Sequence, residues 1–198
     1  MTNLVVATGN PNKLREMQAY LIDTAWELVL KPDSIDVEET GETFMANAQL
    51  KATQVAQALR QWAIADDSGL SIDALDGAPG IYSARYAPTV AEQIDRVLRE
   101  LEHQTNRHAK FVCAIAIADP TGAIVLQAEG VCEGEILTAP CGTAGFGYDP
   151  IFYVPEQQMT FAEMPPAVKH QVSHRGLAFQ VLLPQLQALH REIALDRF

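Results

Sequence analysis

Hydrophobic and polar positions alternate along the chain with two periods. The apolar run Leu4 to Ala7 ends at Thr8-Gly9-Asn10-Pro11 and predicts a short buried strand. Apolar residues then recur at Leu14, Met17, Leu21 and Ile22, the spacing of one helix face. Glu27 to Leu30 predicts a second strand, followed by an acidic loop ending Glu38-Glu39-Thr40-Gly41. A long helix is expected from about Thr43 to Arg60, with Phe44, Ala48, Val55 and Leu59 facing inward. Ala63 to Ala65 reads as a short buried strand running into a loop, Asp66-Asp67-Ser68-Gly69. Gly77, Pro79 and Gly80 mark a further loop that carries Ile81 to Tyr86. Thr89 and Glu92 have capping-box spacing at the head of a helix through Val97, Leu98 and Leu101.

The middle of the chain changes period. Phe111 to Ala118 and Ala123 to Ala128 predict a hairpin around Asp119-Pro120-Thr121-Gly122, and Glu133 to Leu137 predicts a separate strand. A glycine-rich loop, Cys141 to Asp149, leads into a strand from Ile151 to Val154. The last helix is expected to start at Ser173, to carry Leu177, Val181 and Leu182, and to kink or break at Pro184. Helices alternate with strands early and a run of strands follows. This order predicts an α/β fold with a mixed sheet and flanking helices.

Charge narrows the function classes. Fourteen Lys and Arg against 25 Asp and Glu leave a net charge of −11, so a basic footprint for nucleic acid is missing. An anionic ligand must then be held locally, by a few cations, backbone amides or a metal. Cys113, Cys132 and Cys141 are odd in number and lack CxxC spacing, the pattern of reduced cytosolic thiols. The N-terminal segment does not read as a signal peptide, and no apolar stretch reaches the ~18 residues of a membrane span. The expected setting is cytoplasmic, without a membrane or nucleic-acid partner.

Four segments carry candidate chemistry. Thr8-Gly9-Asn10-Pro11-Asn12-Lys13 joins a strand to a helix. It is either an ordinary turn or a phosphate site built from helix-start amides and the Lys13 charge. Glu38-Glu39 and Asp66-Asp67 are acidic pairs; adjacent carboxylates repel unless a cation is near, and hard oxygens suit Mg²⁺ or a general base. No Lys or Arg occurs between Lys110 and Lys169, and then Lys169, His170, His174 and Arg175 arrive together. Cations at a helix start are electrostatically misplaced unless an anion joins them. In Gly145-Phe146-Gly147-Tyr148-Asp149-Pro150 an aromatic ring can either stack on a base or plug the core. Tyr82 and Tyr86 read as core or interface residues, with Arg85 as a phosphate or carboxylate partner.

These segments together resemble the inosine/xanthosine triphosphate pyrophosphatase family, enzymes of non-canonical purine nucleotides. The matching strings are ATGNPNKLRE, EETGETFMANAQLKA, IADDSGLSIDAL, GAPGIYSARYA, GFGYDPIF and FAEMPPAVKHQVSHRG, in the family's order over nearly the whole chain. The resemblance implies one pyrophosphatase domain over residues 1–198, elongated, with two lobes around a central cleft, a fold shared with Maf-type pyrophosphatases. It implies Mg²⁺-dependent cleavage of ITP, dITP and XTP to monophosphate and pyrophosphate by a homodimer. By resemblance Asp67 is the catalytic proton acceptor, and Glu38 and Asp67 are the carboxylates associated with Mg²⁺. Thr8, Gly9, Asn10, Pro11, Asn12 and Lys13 match the phosphate loop. Ser68 matches a substrate contact, and Phe146, Gly147, Tyr148 and Asp149 match the nucleoside loop, with Phe146 the stacking ring. Lys169, His174 and Arg175 match the late substrate-binding cluster, and Lys51 resembles a phosphate-side lysine of some relatives. The chain departs from the family at Ala144, where glycine is common, at Pro165 to Val168, which lack the usual acids, and at His170.

Overall fold

The computed structural model describes residues 2–195. Seven strands form one sheet in the order β2-β1-β3-β4-β5-β6-β7. In chain order the strands are β1 (Thr2–Val6), β2 (Trp26–Leu30), β3 (Ala63–Ile72), β4 (His108–Ala118), β5 (Ile124–Ile136), β6 (Phe152–Val154) and β7 (Met159–Thr160). The helices are α1 (Pro11–Leu21), α2 (Phe44–Leu59), α3 (Val90–Glu100), α4 (Pro166–Val172) and α5 (His174–Leu195). β1 runs parallel to both β2 and β3, with Val5 opposite Val29 and Ala63. β6 pairs antiparallel with β5 and β7. The mixed α/β sheet with flanking helices is therefore present. No helix among the described residues is long and apolar enough to cross a membrane.

The chain forms two compact units. The first holds the described residues up to Asp67, then Ala114–Gly130 and the residues from Ala178 onward. The second holds Ser68–Cys113 and Val131–Leu177. Their cores differ in kind. The first is built on small residues, with Ala48, Ala52, Val55 and Ala56 of α2 against Ala63, Ala65, Ala114, Ala116 and Ala118. Alanines let the helix lie close to the strands, which brings its polar side chains within reach of β3. Thr53 Oγ donates to Gly122 O at 2.9 Å and ties α2 to the β4–β5 turn. The second core is aromatic. Phe111 meets Phe152 at 4.7 Å and Phe161 at 5.7 Å, with Leu70, Ile72 and Leu101 around them.

Several expectations change. The acidic stretch 66–69 is not a loop: β3 continues through it to Ile72. Leu70 and Ile72 are fully buried, and that apolar burial keeps the strand extended past the carboxylates. The strands predicted at Ala123 to Ala128 and Glu133 to Leu137 are one continuous β5. Its inward positions are mostly small, Ala128, Gly130, Cys132 and Gly134, so hydropathy hides it. Gly134 has to be small, since a Cβ there would lie 2.5 Å from Tyr153 O on β6. α5 is not broken at Pro184, where tertiary packing keeps the helix continuous. Trp26 Nε1 reaches Leu186 O at 3.4 Å, and Tyr20 stacks on Phe179 at 4.6 Å. Ile22, expected on one helix face with Leu14, Met17 and Leu21, is exposed, as is Val181, and Tyr82 is exposed, which excludes the core half of its reading. Tyr86 packs against the second core, as expected, and gives its hydroxyl to Glu100 at 2.5 Å, under the Arg96 guanidinium.

Candidate active site

The first group of candidate residues starts where β1 ends. Thr8 Oγ accepts the Asn10 amide at 3.1 Å, and the Asn10 side chain accepts the Asn12 amide at 2.9 Å. Asn10 thus caps α1, and Pro11 opens it, where a missing N–H costs nothing. Two loop amides are already engaged within the loop, so Lys13 is its main positive feature. Gly9 is exposed, with open space where a side chain would stand. Lys13 Nζ lies 3.1 Å from Asp66 Oδ2, whose side chain is wholly buried.

Asp66 and Asp67 are neighbours in an extended strand, so their side chains leave it in opposite directions. The predicted repulsion is relieved by this separation, and each carboxylate has its own lysine. Asp67 faces the buried side of α2. Lys51 Nζ lies 3.2 Å from Asp67 Oδ1 and 2.6 Å from Glu39 Oε1. Asn47, one turn before Lys51, donates Nδ2 to Asp67 Oδ2 at 3.1 Å. Asn47 Oδ1 accepts the Gly41 amide at 2.8 Å.

Burial pushes the Asp67 carboxyl above its usual 3.8; Lys51 and Lys13 oppose this, Glu39 adds to it and Asn47 opposes it. Burial alone would lower the Lys51 ammonium, but Asp67, Asp66 and Glu39 outweigh it and hold it above 10.5. Asp67 is consequently a more basic carboxylate than a solvated one, fixed at both oxygens. Glu38 is exposed, and its neighbour Glu39 is the acid that meets Lys51.

No preassembled group of three metal ligands occurs among the described residues. Mg²⁺ commonly takes one or two protein carboxylates and completes its shell with water and substrate phosphates. Asp66, Asp67 and Glu39 bring three negative charges against two from Lys13 and Lys51. The donors are hard oxygens with a residual negative charge, which fits such a cation arriving with a phosphate ligand.

The second group lies in the other unit. The Phe146 loop is closed by Asp149, whose Oδ2 accepts the Phe146 amide at 2.8 Å and Lys169 Nζ at 2.7 Å. Gly145, at φ +77°, makes room: a Cβ there would lie 2.0 Å from Asp149 Oδ2. Tyr148 is buried and donates its hydroxyl to Ser83 O at 2.9 Å, and burial raises its pKa. Of the two rings, Tyr148 plugs the core and Phe146 stays partly exposed, with Lys169 Nζ 5.2 Å from its centroid. Gly147 beside it sits at φ +59°.

The basic cluster is divided between two helices. Pro165 and Pro166 start α4, and Lys169 and His170 lie in its last turn, the favourable end for cations. The argument from misplaced cations therefore applies only to His174 and Arg175, which open α5. Arg175 is fully buried and gives Nη2 to Ser68 Oγ at 3.0 Å. His174 stacks on Phe111 at 4.7 Å and 12°. Asn47 is the polar residue that the sequence left without a role, and Glu39, a member of the acidic pair, takes the place beside Lys51. Helical spacing from Lys51 on the inward face of α2 was the available signal for Asn47.

The chain as a whole is similar to known proteins. A profile of the Ham1 family matches residues 4–185. The chain belongs to the Ham1 family. The Ham1 chain is 64% identical to a dITP/XTP pyrophosphatase of Nostoc sp., over 94% of this chain and 95% of that protein. It is 57% identical to a dITP/XTP pyrophosphatase of Synechocystis sp., over 96% and 97%. Among solved structures it is similar to a HAM1 protein from Coxiella burnetii, with TM-score 0.86 and 44% identity, covering 97% of this chain and all (100%) of the other. It is also similar to a nucleoside-triphosphatase / dITP/XTP pyrophosphatase from Mycobacterium abscessus, with TM-score 0.74 and 39% identity, covering 92% and 99%.

Proposed function

We propose that this chain is a nucleoside triphosphate pyrophosphatase that hydrolyses dITP and XTP, and ITP with them, to the monophosphate and pyrophosphate. The reading is supported by relatives of that printed activity that match almost end to end. The observation that carries its chemistry is Asp67, a buried carboxylate raised by burial and held by Lys51 and Asn47.

Asp67 orients a water molecule and takes its proton as the water oxygen attacks the α-phosphorus. The bond from the α-phosphorus to the bridging oxygen breaks, and pyrophosphate leaves with that oxygen. Lys13 and Lys51 exchange part of their carboxylate contacts for phosphate oxygens and offset the charge of the departing group. Asp67 with Glu38 or Glu39 would hold Mg²⁺, which when bound would supply electrostatic stabilisation of the phosphates. In the second unit, Phe146 provides a stacking face, with Lys169, His174 and Arg175 as donors toward the nucleotide. A 6-oxo purine offers an acceptor to such donors, whereas adenine offers an amino group, so ATP is rejected by an unpaired donor. The whole chain is taken as one catalytic domain, acting as a homodimer in the cytoplasm; sedimentation at micromolar concentration tests the dimer.

The deciding experiment is pyrophosphate release from dITP, XTP, ITP, dGTP and ATP, with Mg²⁺ and with EDTA, for the wild-type protein and Asp67→Asn. Release from dITP, XTP and ITP with Mg²⁺, absent with EDTA and in the variant, is expected. Equal turnover of ATP, or near-normal turnover by Asp67→Asn, overturns the reading.

A further inference from the structure

We infer that Asn47 is the positioning residue that couples the acidic loop 38–41 to the catalytic carboxylate. This inference rests on the role proposed for Asp67 and deepens it.

Asn47 is completely buried on a helix face that, apart from Lys51, is alanine and valine, where an unpaired amide is costly. Its amide is used at both ends. Nδ2 holds Asp67 Oδ2 at 3.1 Å, and Oδ1 holds the Gly41 amide at 2.8 Å. The two bonds fix which end of the amide faces which partner, because a flipped amide would set oxygen against carboxylate and NH₂ against N–H. Lys51 holds the other Asp67 oxygen from one turn further along α2. The carboxylate plane is thus set from a rigid helix, which leaves it less rotational freedom than one bond would. A second observation supports the clamp from the loop side. A Cβ on Gly41 would lie 2.7 Å from Asn47 Oδ1 and 2.9 Å from the Asn47 amide. Gly41 is therefore small because Asn47 draws the backbone in. Glu39 and Glu38 lie two and three positions before Gly41, so the clamp sets where these acids stand relative to Asp67. Asn47 touches no reacting atom in this arrangement; it acts through Asp67 and the loop.

The test compares Asn47→Ala, Asn47→Asp and Gly41→Ala with the wild-type protein. It reads kcat and KM for XTP at saturating Mg²⁺, hydrogen exchange of the 36–43 segment without metal or substrate, and the melting temperature. Replacing such an outer-shell partner typically costs about 10–100-fold in activity. Asn47→Ala is expected to lose roughly that factor in kcat, with KM within about threefold, and to lose protection at Gly41. Asn47→Asp keeps the acceptor for Gly41 but sets oxygen against Asp67, so protection stays while kcat falls. Gly41→Ala lowers kcat in the same way.

A folded Asn47→Ala protein with wild-type kcat overturns the inference. If Asn47→Ala does not fold, unchanged kcat in Asn47→Asp overturns it instead. If the wild-type protein releases no pyrophosphate from XTP, the proposed function fails; Gly41 protection unchanged in Asn47→Ala then separately refutes the clamp.

Discussion

Gly145→Ala isolates the Phe146 loop from the rest of the molecule. Gly145 adopts φ +77°, and the new methyl would start 2.0 Å from Asp149 Oδ2. Left-handed backbone costs an L-residue about 1–2 kcal/mol. The overlap must also be relieved by moving the Asp149 carboxylate, which receives the Phe146 amide at 2.8 Å and Lys169 at 2.7 Å. Hydrogen bonds to charged groups contribute about 1.5–3 kcal/mol each. Losing both together with the strain would sum to roughly 4–8 kcal/mol, but the exposed loop can shift and keep one bond. The expected loss of unfolding free energy is about 2.5–5 kcal/mol. Freed from Asp149, Phe146 no longer presents a fixed face. A binding loss of about 1.4 kcal/mol corresponds to a tenfold rise in KM for XTP. Urea unfolding and steady-state kinetics measure the two effects separately. Ala144→Gly, one residue earlier and exposed, is the control and should change neither. Wild-type stability and KM in Gly145→Ala would refute the argument, because no low-energy placement of the methyl leaves Asp149 where it is.

Lys51→Met removes the cation between Glu39 and Asp67 and leaves two carboxylates facing each other. Breaking a buried pair this way costs about 3–5 kcal/mol, read by urea unfolding at neutral pH. Thr89→Ala deletes the hydroxyl half of a complete capping box, leaving the residue-89 amide to donate to Glu92, and should cost about 1 kcal/mol in the same assay, with activity unchanged. Asp119 carries a pH signature. Its carboxylate accepts from the Thr121 hydroxyl and the Thr121 and Ala123 amides, which hold its pKa below the usual 3.8. That contribution is fully present above the unfolded value and is lost as pH falls through the lower folded value. Asp119→Ala should therefore destabilise the hairpin at neutral pH, with a difference from wild type that shrinks below pH 3.8 in thermal melts.

Much of this was legible before any coordinates. The α2 stripe, the Thr89–Glu92 capping box and the Asp119 turn follow local rules, and tertiary structure leaves them in place. β3 and β5 did not read correctly because their signals are tertiary. An Asp-Asp-Ser-Gly string has low strand propensity, and only the lysines and Asn47 delivered from elsewhere make it tolerable inside a sheet. β5 was cut in two because its inward side chains are small, for reasons visible only once β6 lies against Gly134. Phe146 and Tyr148 alternate between exposed and buried in a loop, where no periodicity predicts which ring points inward.

The placement of Asp67 within a strand, rather than on a loop, has a mechanistic consequence. A loop carboxylate near lysines swings between partners, and its basicity averages over positions. A strand carboxylate flanked by a helix has one position, and here its charge is stabilised by Lys51, Lys13 and Asn47 against the penalty of burial. Burial prevails, so the carboxyl is held above the usual 3.8, which suits the proton acceptor proposed for it. The same balance explains how so acidic a chain takes a polyanion. Lys13 and Lys51 lie against carboxylates, and in the proposed mechanism they turn to phosphate as another cation replaces them there. Substrate phosphates and a divalent ion must then bind together, so XTP affinity measured with and without Mg²⁺ should show strong positive coupling. Equal affinity in both conditions would mean that the lysines never leave their carboxylates.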